Sequence, residues 1–281
     1  MKPAPFDYVR PEGLEESLEV LAAHGADATV LAGGQSLMPL LATRAHRPRV
    51  LVDINRIGAA HGAIETDGDA LTMGALVRHR DVIVDANVVR NIPMLAEAGR
   101  LIGNVAIRNR GTVGGSIAFA DPAAEWPLCF VALGGSVRLA SKKGERTVPA
   151  AEFFRGSHRS VRRSDELVVA ARFPVPRFAY FDEISLRPTA PAFASLALAQ
   201  DRDGTLRVAL GAVADRPITI EATAVAALGT NPDWGEVRAI AGQELGDRLP
   251  ADERSYRLHL VMTLLGRAAR AYAKASDRDR L

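Results

Sequence analysis

Helical spacing of apolar residues first appears at residues 14–24. Leu14, Leu18 and Leu21 share one face, and Glu15, Glu16 and Glu19 fill the early turns, where a helix dipole favours acids. Gly25 is placed to end that helix. Thr29-Val30-Leu31 predicts a strand, Leu37–Leu41 a short helix behind the pair Gly33-Gly34, and Val50–Ile54 a second strand. The result is a β-α-β-like unit preceded by an extra helix. Glu65–Thr72 reads as a hairpin turning at Asp67-Gly68 or Gly68-Asp69. Arg78–Val84 and Val88–Arg100 read as helices, the second with Pro93 early, where proline is tolerated. A second glycine turn, Gly111–Ser116, follows. Asp121 is placed as an N-cap with Pro122 at the first helical position, for a helix through Leu133 that Gly134-Gly135 ends. Short strands are expected near 136–140 and 146–149.

The prolines of Phe173-Pro174-Val175-Pro176 exclude a central strand or helix and mark a boundary. Domains are therefore expected at 1–176, subdivided near residue 57, and at 177–281. Beyond the boundary Ala179–Leu186, Phe193–Gln200 and Leu206–Ala214 read as strands, the last two joined by the hairpin Asp201–Gly204. Three helices follow, over about 219–229, from Asn231-Pro232, and over about 251–274. The last carries the stripe Leu258, Val261, Leu265, Ala268 and Tyr272. Asp277–Arg280 reads as a frayed charged tail. The fold class is α+β, with a C-terminal α+β domain built on a three-stranded antiparallel sheet and helices.

Composition narrows the function. At 281 residues, 48% hydrophobic and 24% charged, the chain can bury a full core. A net charge of +2 without a basic patch argues against nucleic acid, and the cluster Arg159–Arg163 reads as a solvated loop. Cys129 is the single cysteine and lies in an apolar run, which makes it a buried, inert thiol. One cysteine cannot build an iron–sulfur cluster. The N-terminal residues have no signal-peptide core, and no run approaches the roughly eighteen apolar residues of a membrane span. A soluble, cytoplasmic protein is expected.

The chemistry centres on the two glycine pairs. Glycines let a backbone approach a ligand closely, and consecutive amides in such a turn form an anion nest. Ser36, Thr112 and Ser116 add hydroxyls. Neither segment is a P-loop or a Gly-x-Gly-x-x-Gly fingerprint, so a nucleotide would need both segments converging. The six histidines are scattered without metal-ligand spacing. Asp121 and Glu125, one helical turn apart, have the spacing of an acid/base pair, but a cap and a hydrogen-bonding carboxylate is the simpler reading.

The motifs resemble a known family. They are Pro3–Pro11, Val30-Leu31-Ala32-Gly33-Gly34-Gln35-Ser36-Leu37-Met38-Pro39, Leu51–Asn55, Ile107-Arg108-Asn109-Arg110-Gly111-Thr112-Val113-Gly114-Gly115-Ser116-Ile117-Ala118, and Ala120-Asp121-Pro122-Ala123-Ala124-Glu125. Together they resemble the FAD-binding medium subunit of the molybdenum hydroxylases, the family of xanthine dehydrogenase and aerobic carbon monoxide dehydrogenase. The resemblance implies a two-subdomain FAD-binding domain of the PCMH (vanillyl-alcohol-oxidase-like) type, closed over by the C-terminal domain. It implies FAD contacts from Val30, Leu31, Ala32, Gly33, Gly34, Gln35, Ser36 and Leu37 and from Thr112, Val113, Gly114, Gly115 and Ser116, the pyrophosphate taking main-chain amides and hydroxyls of both segments. Ile102 would pack against the ring system or adenine, Asp121 or Glu125 would bond a ribose or ribityl hydroxyl, and Leu167 would lie near the flavin from the far side. No residue is assigned a catalytic or metal-binding role.

The implied activity is an oxidoreductase subunit. It passes electrons from [2Fe–2S] clusters of a small partner subunit through FAD to an external acceptor. A large subunit carries the molybdenum cofactor, in a dimer of heterotrimers. The alternatives are an FAD-binding scaffold without electron transfer and a free-standing flavin oxidoreductase. The chain departs from the family pattern at Asn104-Val105-Ala106, at Ser157-His158-Arg159, at Glu183 where a lysine is common, and at Pro188–Ala192.

Overall fold

The computed structural model describes residues 2–229 and 232–278. Among the described residues three sheets of three or more strands follow one another along the chain, besides one two-stranded hairpin. The first is parallel, in the order β1-β3-β2, from β1 (Asp7–Val9), β2 (Ala28–Leu31) and β3 (Val50–Asp53). Helix α1 (Leu14–His24) buries Leu18 and Leu21 and ends at Gly25, whose φ of 51° is in the left-handed region. Helix α2 (Leu37–Thr43) follows the first glycine pair. Strand β1 is an addition to the sequence reading, which has no periodicity to work on in three residues.

The second sheet is antiparallel, in the order β4-β5-β10-β6-β7, from β4 (Ile64–Thr66), β5 (Ala70–Gly74), β6 (Ser136–Ser141), β7 (Gly144–Pro149) and β10 (Leu167–Pro174). Its central strand β10 overrides the expectation that Pro174 excludes one. Pairing with β6 ends at Arg172, so Pro174 meets only Ala70 of β5, and its missing N–H costs no ladder bond on the other side. Between β5 and β6 run helices α3 (His79–Val84), α4 (Ala86–Asn91), α5 (Pro93–Leu101), α6 (Val105–Arg110), α7 (Val113–Phe119) and α8 (Glu125–Ala132). The single helix expected over 88–100 is two, because Ile92 precedes Pro93 and is pushed to φ −141°, ψ 67°. Helix α8 begins three residues later than expected. Asp121 accepts the Ala123 amide in a local turn, and the Pro122 carbonyl is taken by the Ala212 amide at 2.8 Å, which holds this stretch out of the helix. A one-turn helix α9 (Ala150–Phe153) and the small hairpin β8 (Phe154–Gly156) and β9 (Arg159–Ser160) lead back to β10.

The third sheet, β11-β12-β13-β14, comprises β11 (Phe178–Ser185), β12 (Ala192–Gln200), β13 (Leu206–Gly211) and the two-residue β14 (Ile218–Thr219), which joins the three expected strands. Helices α10 (Glu221–Leu228), α11 (Trp234–Leu245) and α12 (Arg254–Arg278) complete the chain. Period-two alternation gives β12 two buried faces. Leu196 and Leu198 join Val261, Leu264 and Leu265 of α12 in one core, while Ala197 and Ala199 join Leu128 and Trp126 of α8 in another. The predicted cap Asn231 lies outside the described residues. Asp233 caps α11, accepting the amides of Gly235 and Glu236. The tail read at Asp277–Arg280 lies partly outside them too, and α12 runs on to Arg278. Among the described residues no helix is long and apolar enough to cross a membrane.

Candidate functional site

The first glycine segment leaves β2 and turns before α2. Asn55 Nδ2 donates to the Ala32 carbonyl at 3.0 Å and Gln35 Nε2 to the Gly33 carbonyl at 3.0 Å, which fix the turn. Gly34 has φ +75°, a conformation that glycine adopts without strain. Among the described residues no protein acceptor takes the backbone amides of Gly33, Gly34, Gln35 or Ser36. Four successive donors without a protein partner, those of Gln35 and Ser36 on exposed residues, form a cradle suited to an anion. Helix α2 has only seven residues, so the amides rather than a long helix dipole carry this character.

The second segment differs from its expected form. It is not a turn but the N-terminus of α7. The amides of Val113 and Gly114 donate to the carbonyls of Val77 and Ala75 at 3.0 and 3.1 Å. Those of Gly115 and Ser116 donate to Thr112 Oγ1 and to the Thr112 carbonyl. The amides of Val113 to Ser116 are thus taken up inside the protein, because the chain runs alongside the segment that follows β5, Ala75 to Arg78, closely enough to pair with it. What this segment can offer a ligand is hydroxyls, at Ser116 and Thr112.

Both segments line one cleft of about 610 Å³, within the range of roughly 300–1,000 Å³ usual for ligand sites. Of the sequence-predicted residues, Val30, Ala32, Gly33, Gly34, Gln35, Ser36 and Leu37 lie along it, as do Ile102, Thr112, Gly114, Gly115, Ser116, Asp121, Glu125 and Leu167. Leu31 and Val113 do not. Leu31 packs towards Met38 around Gly34, and Val113 is fully buried in the main core. His79, Ile107, Phe119, His158, Arg162 and Glu166 also line the cleft, beyond the sequence reading. Scattered histidines give no periodic signal. Arg162 belongs to the cluster read as a solvated loop, yet its guanidinium donates to the carbonyls of Arg163 and Glu166. His158, at a position where the family pattern is broken, stacks on Phe119 with ring centroids 4.5 Å apart. Asn104, at another such position, caps α6 by accepting the Ile107 amide.

Carboxyls lining the cleft, and Glu183 near Glu125, are tuned in opposite directions. Burial pushes Glu125 up to about 8, with the negative charges of Glu183 and Asp121 adding to it. Burial likewise pushes Glu183 up to about 7, helped by Asp182, and among the described residues Glu183 Oε1 is buried without a hydrogen-bond partner. Glu166 is held below the usual carboxylate range. Burial alone would raise it, but Arg146 grips it with bonds of 2.6 and 2.9 Å and the Arg163 amide adds one of 2.7 Å. Cys129 is fully buried, and desolvation raises its thiol well above the ordinary value, as an inert core thiol requires.

Known proteins place this geometry. The family model described as the FAD binding domain in molybdopterin dehydrogenase matches residues 4–176. The caffeine dehydrogenase subunit beta of Pseudomonas sp. (strain CBB1) is 36% identical, covering 99% of this chain and 97% of its own. The carbon monoxide dehydrogenase medium chain of Hydrogenophaga pseudoflava is 33% identical over 90% of each chain. A chain of the quinoline 2-oxidoreductase structure from Pseudomonas putida 86 superposes with a TM-score of 0.86 at 32% identity, covering 99% of both chains. A chain of the Hydrogenophaga pseudoflava carbon monoxide dehydrogenase structure gives 0.88, also at 32% identity. The unfilled amides, the paired segments and these likenesses agree: the chain belongs to the FAD-binding subunits of the molybdenum hydroxylase family.

Proposed function

We propose that this subunit holds FAD in the cleft between the two glycine segments and relays electrons through it. The electrons come from [2Fe–2S] clusters of a small partner subunit and leave to an external acceptor. The observation that carries this reading is the row of four amides, Gly33 to Ser36, without a protein acceptor. On this reading they hold the pyrophosphate, with Ser36 and Ser116 adding hydroxyl bonds. Ile102 and Leu167 supply apolar walls, and Asp121 or Glu125 bonds a ribose or ribityl hydroxyl. The bound flavin supplies the redox chemistry, and the protein's part is to bind, orient and shield it. Domains at 1–176 and 177–281 would enclose it.

A large molybdenum-cofactor subunit and the small iron–sulfur subunit complete the proposed assembly, a dimer of heterotrimers. The relatives' names span caffeine and carbon monoxide, which agrees with substrate choice residing outside this subunit. The test is titration of the purified chain with FAD, followed by addition of a reduced iron–sulfur partner. Saturable binding and bleaching of the flavin absorbance are expected. A chain that takes up no FAD sinks the reading. Bound FAD that the partner cannot reduce sinks the relay and leaves a scaffold.

A further inference from the structure

Along the same cleft, one buried side chain has its proton placed by the fold and no acceptor for it among the described residues. His79 is 5% exposed and opens helix α3 beneath the second segment. Its backbone amide donates to the Gly111 carbonyl at 3.1 Å. The fully buried Trp126 donates its indole N–H to His79 Nδ1 at 2.8 Å. An indole nitrogen is only a donor, so Nδ1 carries the lone pair and the ring proton of a neutral imidazole sits on Nε2. Burial, with the nearby charges of Arg78 and Arg108, lowers this histidine to about 4, so the ring is neutral at physiological pH. The Nε2 edge abuts Gly111, where even a methyl group would stand 2.5 Å from it. His79 and Gly111 both line the cleft. Among the described residues Nε2 has no hydrogen-bond partner, and it belongs to a residue that lines the cleft.

We propose that His79, locked by Trp126 as the Nε2–H tautomer, is a cofactor-binding residue that donates a hydrogen bond to an acceptor atom of the dinucleotide in the cleft. This rests on the FAD reading above and adds a contact that neither glycine segment supplies. A buried donor without an acceptor is unfavourable, and a ligand acceptor removes that cost. The imidazole is a neutral donor, so its contribution does not switch as pH crosses the usual histidine range. Trp126 acts only through His79 and is a positioning residue. Gly111 keeps the imidazole edge uncovered.

The experiment uses the full chain with its histidines labelled in 15N, with His79→Gln to assign the resonance. A protonated Nε2 and an unprotonated Nδ1 are expected from pH 5 to 8, with the Nε2 signal moving when FAD is added. His79→Phe should weaken FAD binding roughly tenfold, the loss of one hydrogen bond. His79→Gln, which can accept from Trp126 and still donate, should stay near wild type. Trp126→Phe should release the tautomer and weaken binding with His79 still present. FAD that binds, seen by fluorescence quenching, without moving the wild-type Nε2 signal would overturn the proposal even if no variant folds. So would a His79→Phe protein that binds FAD as tightly as wild type. Absence of quenching is a separate result, and it overturns the FAD reading itself.

Discussion

Gly33 and Gly111 meet backbone to backbone: a methyl group on Gly33 would stand 2.7 Å from the Gly111 Cα. The two glycine segments are therefore a packed pair, each the other's wall, before any ligand enters. Gly33→Ala must push them apart. The expected loss is about 1–3 kcal/mol of stability, the usual cost of overpacking, together with weaker FAD binding. Urea unfolding and FAD titration of the same variant check both. An unchanged unfolding midpoint would show that the pair can spread freely.

Gly114 makes a different contact from the one its motif suggests. A side chain there meets Ala75 of the segment after β5, with the Cα 2.6 Å from the added carbon, before it reaches ligand space. Gly114→Val adds a β-branched side chain in a helix turn against backbone. The chain without FAD should already lose thermal stability, and the loss in FAD binding follows from that displacement. A variant stable without ligand but unable to bind FAD would contradict this order of effects.

Arg78 ties the two segments from outside the cleft. It donates to Asn55 Oδ1 at 2.7 Å and to the Arg110 carbonyl, while Asn55 Nδ2 holds the Ala32 carbonyl at 3.0 Å. One guanidinium thus spans from the end of β3 to the start of the second segment. An ammonium is a compact point charge without the fork that reaches two acceptors so placed. Arg78→Lys should therefore fail to restore what Arg78→Met loses. Roughly tenfold weaker FAD binding is expected for both, the net worth of a hydrogen bond to a charged group. FAD titration checks it, and a fully rescued lysine variant would count against the strut.

Local chemistry explains which features could be read from the chain. Gly25 ending α1, the hairpin around Gly68 and the stripe on α12 each follow from spacing within a few residues, and the sequence shows them directly. The pairing of Val30 to Leu37 with Thr112 to Ser116 across one cleft was legible only through the motif order. The state of the second segment was not: whether the Gly114 amide is free depends on Ala75, far away in the chain. Strand β10 was hidden for the same reason, since Pro174 is tolerated only because β6 stops pairing at Arg172. His79 has no sequence signal at all, because its meaning comes from Trp126.

Glu166 and Arg146 form the most enclosed ion pair beside the cleft. The Glu166 side chain is 3% exposed, and Arg146 holds it with two bonds. Arg146→Met would leave the carboxylate with the Arg163 amide and a looser Arg163 side chain at 3.6 Å. A loss of about 3 kcal/mol is expected, the lower end for an uncompensated buried charge, because the arginine is partly solvated. The pH sign follows from the lowered carboxyl. Its stabilisation is complete above the ordinary glutamate value and disappears as pH falls through the folded value. Unfolding midpoints of wild type and Glu166→Gln should therefore converge in acid. Curves that stay parallel would remove Glu166 from the acid limb.

Glu125 predicts the opposite slope. Its folded value of about 8 lies above the ordinary 4.5, so between those limits the folded chain holds more protons than the unfolded one. Stability must then fall as pH rises through that window and level off above it. Glu183, raised to about 7, adds to the same slope. Glu125→Gln is neutral at every pH and nearly the same shape. It should match wild type near pH 5, exceed it in urea resistance at pH 8.5, and flatten the decline between. Unfolding midpoints at the two pH values give the answer. A variant whose decline equals wild type would show that Glu125 is ionised in the folded chain throughout, and that Glu183 alone carries the slope.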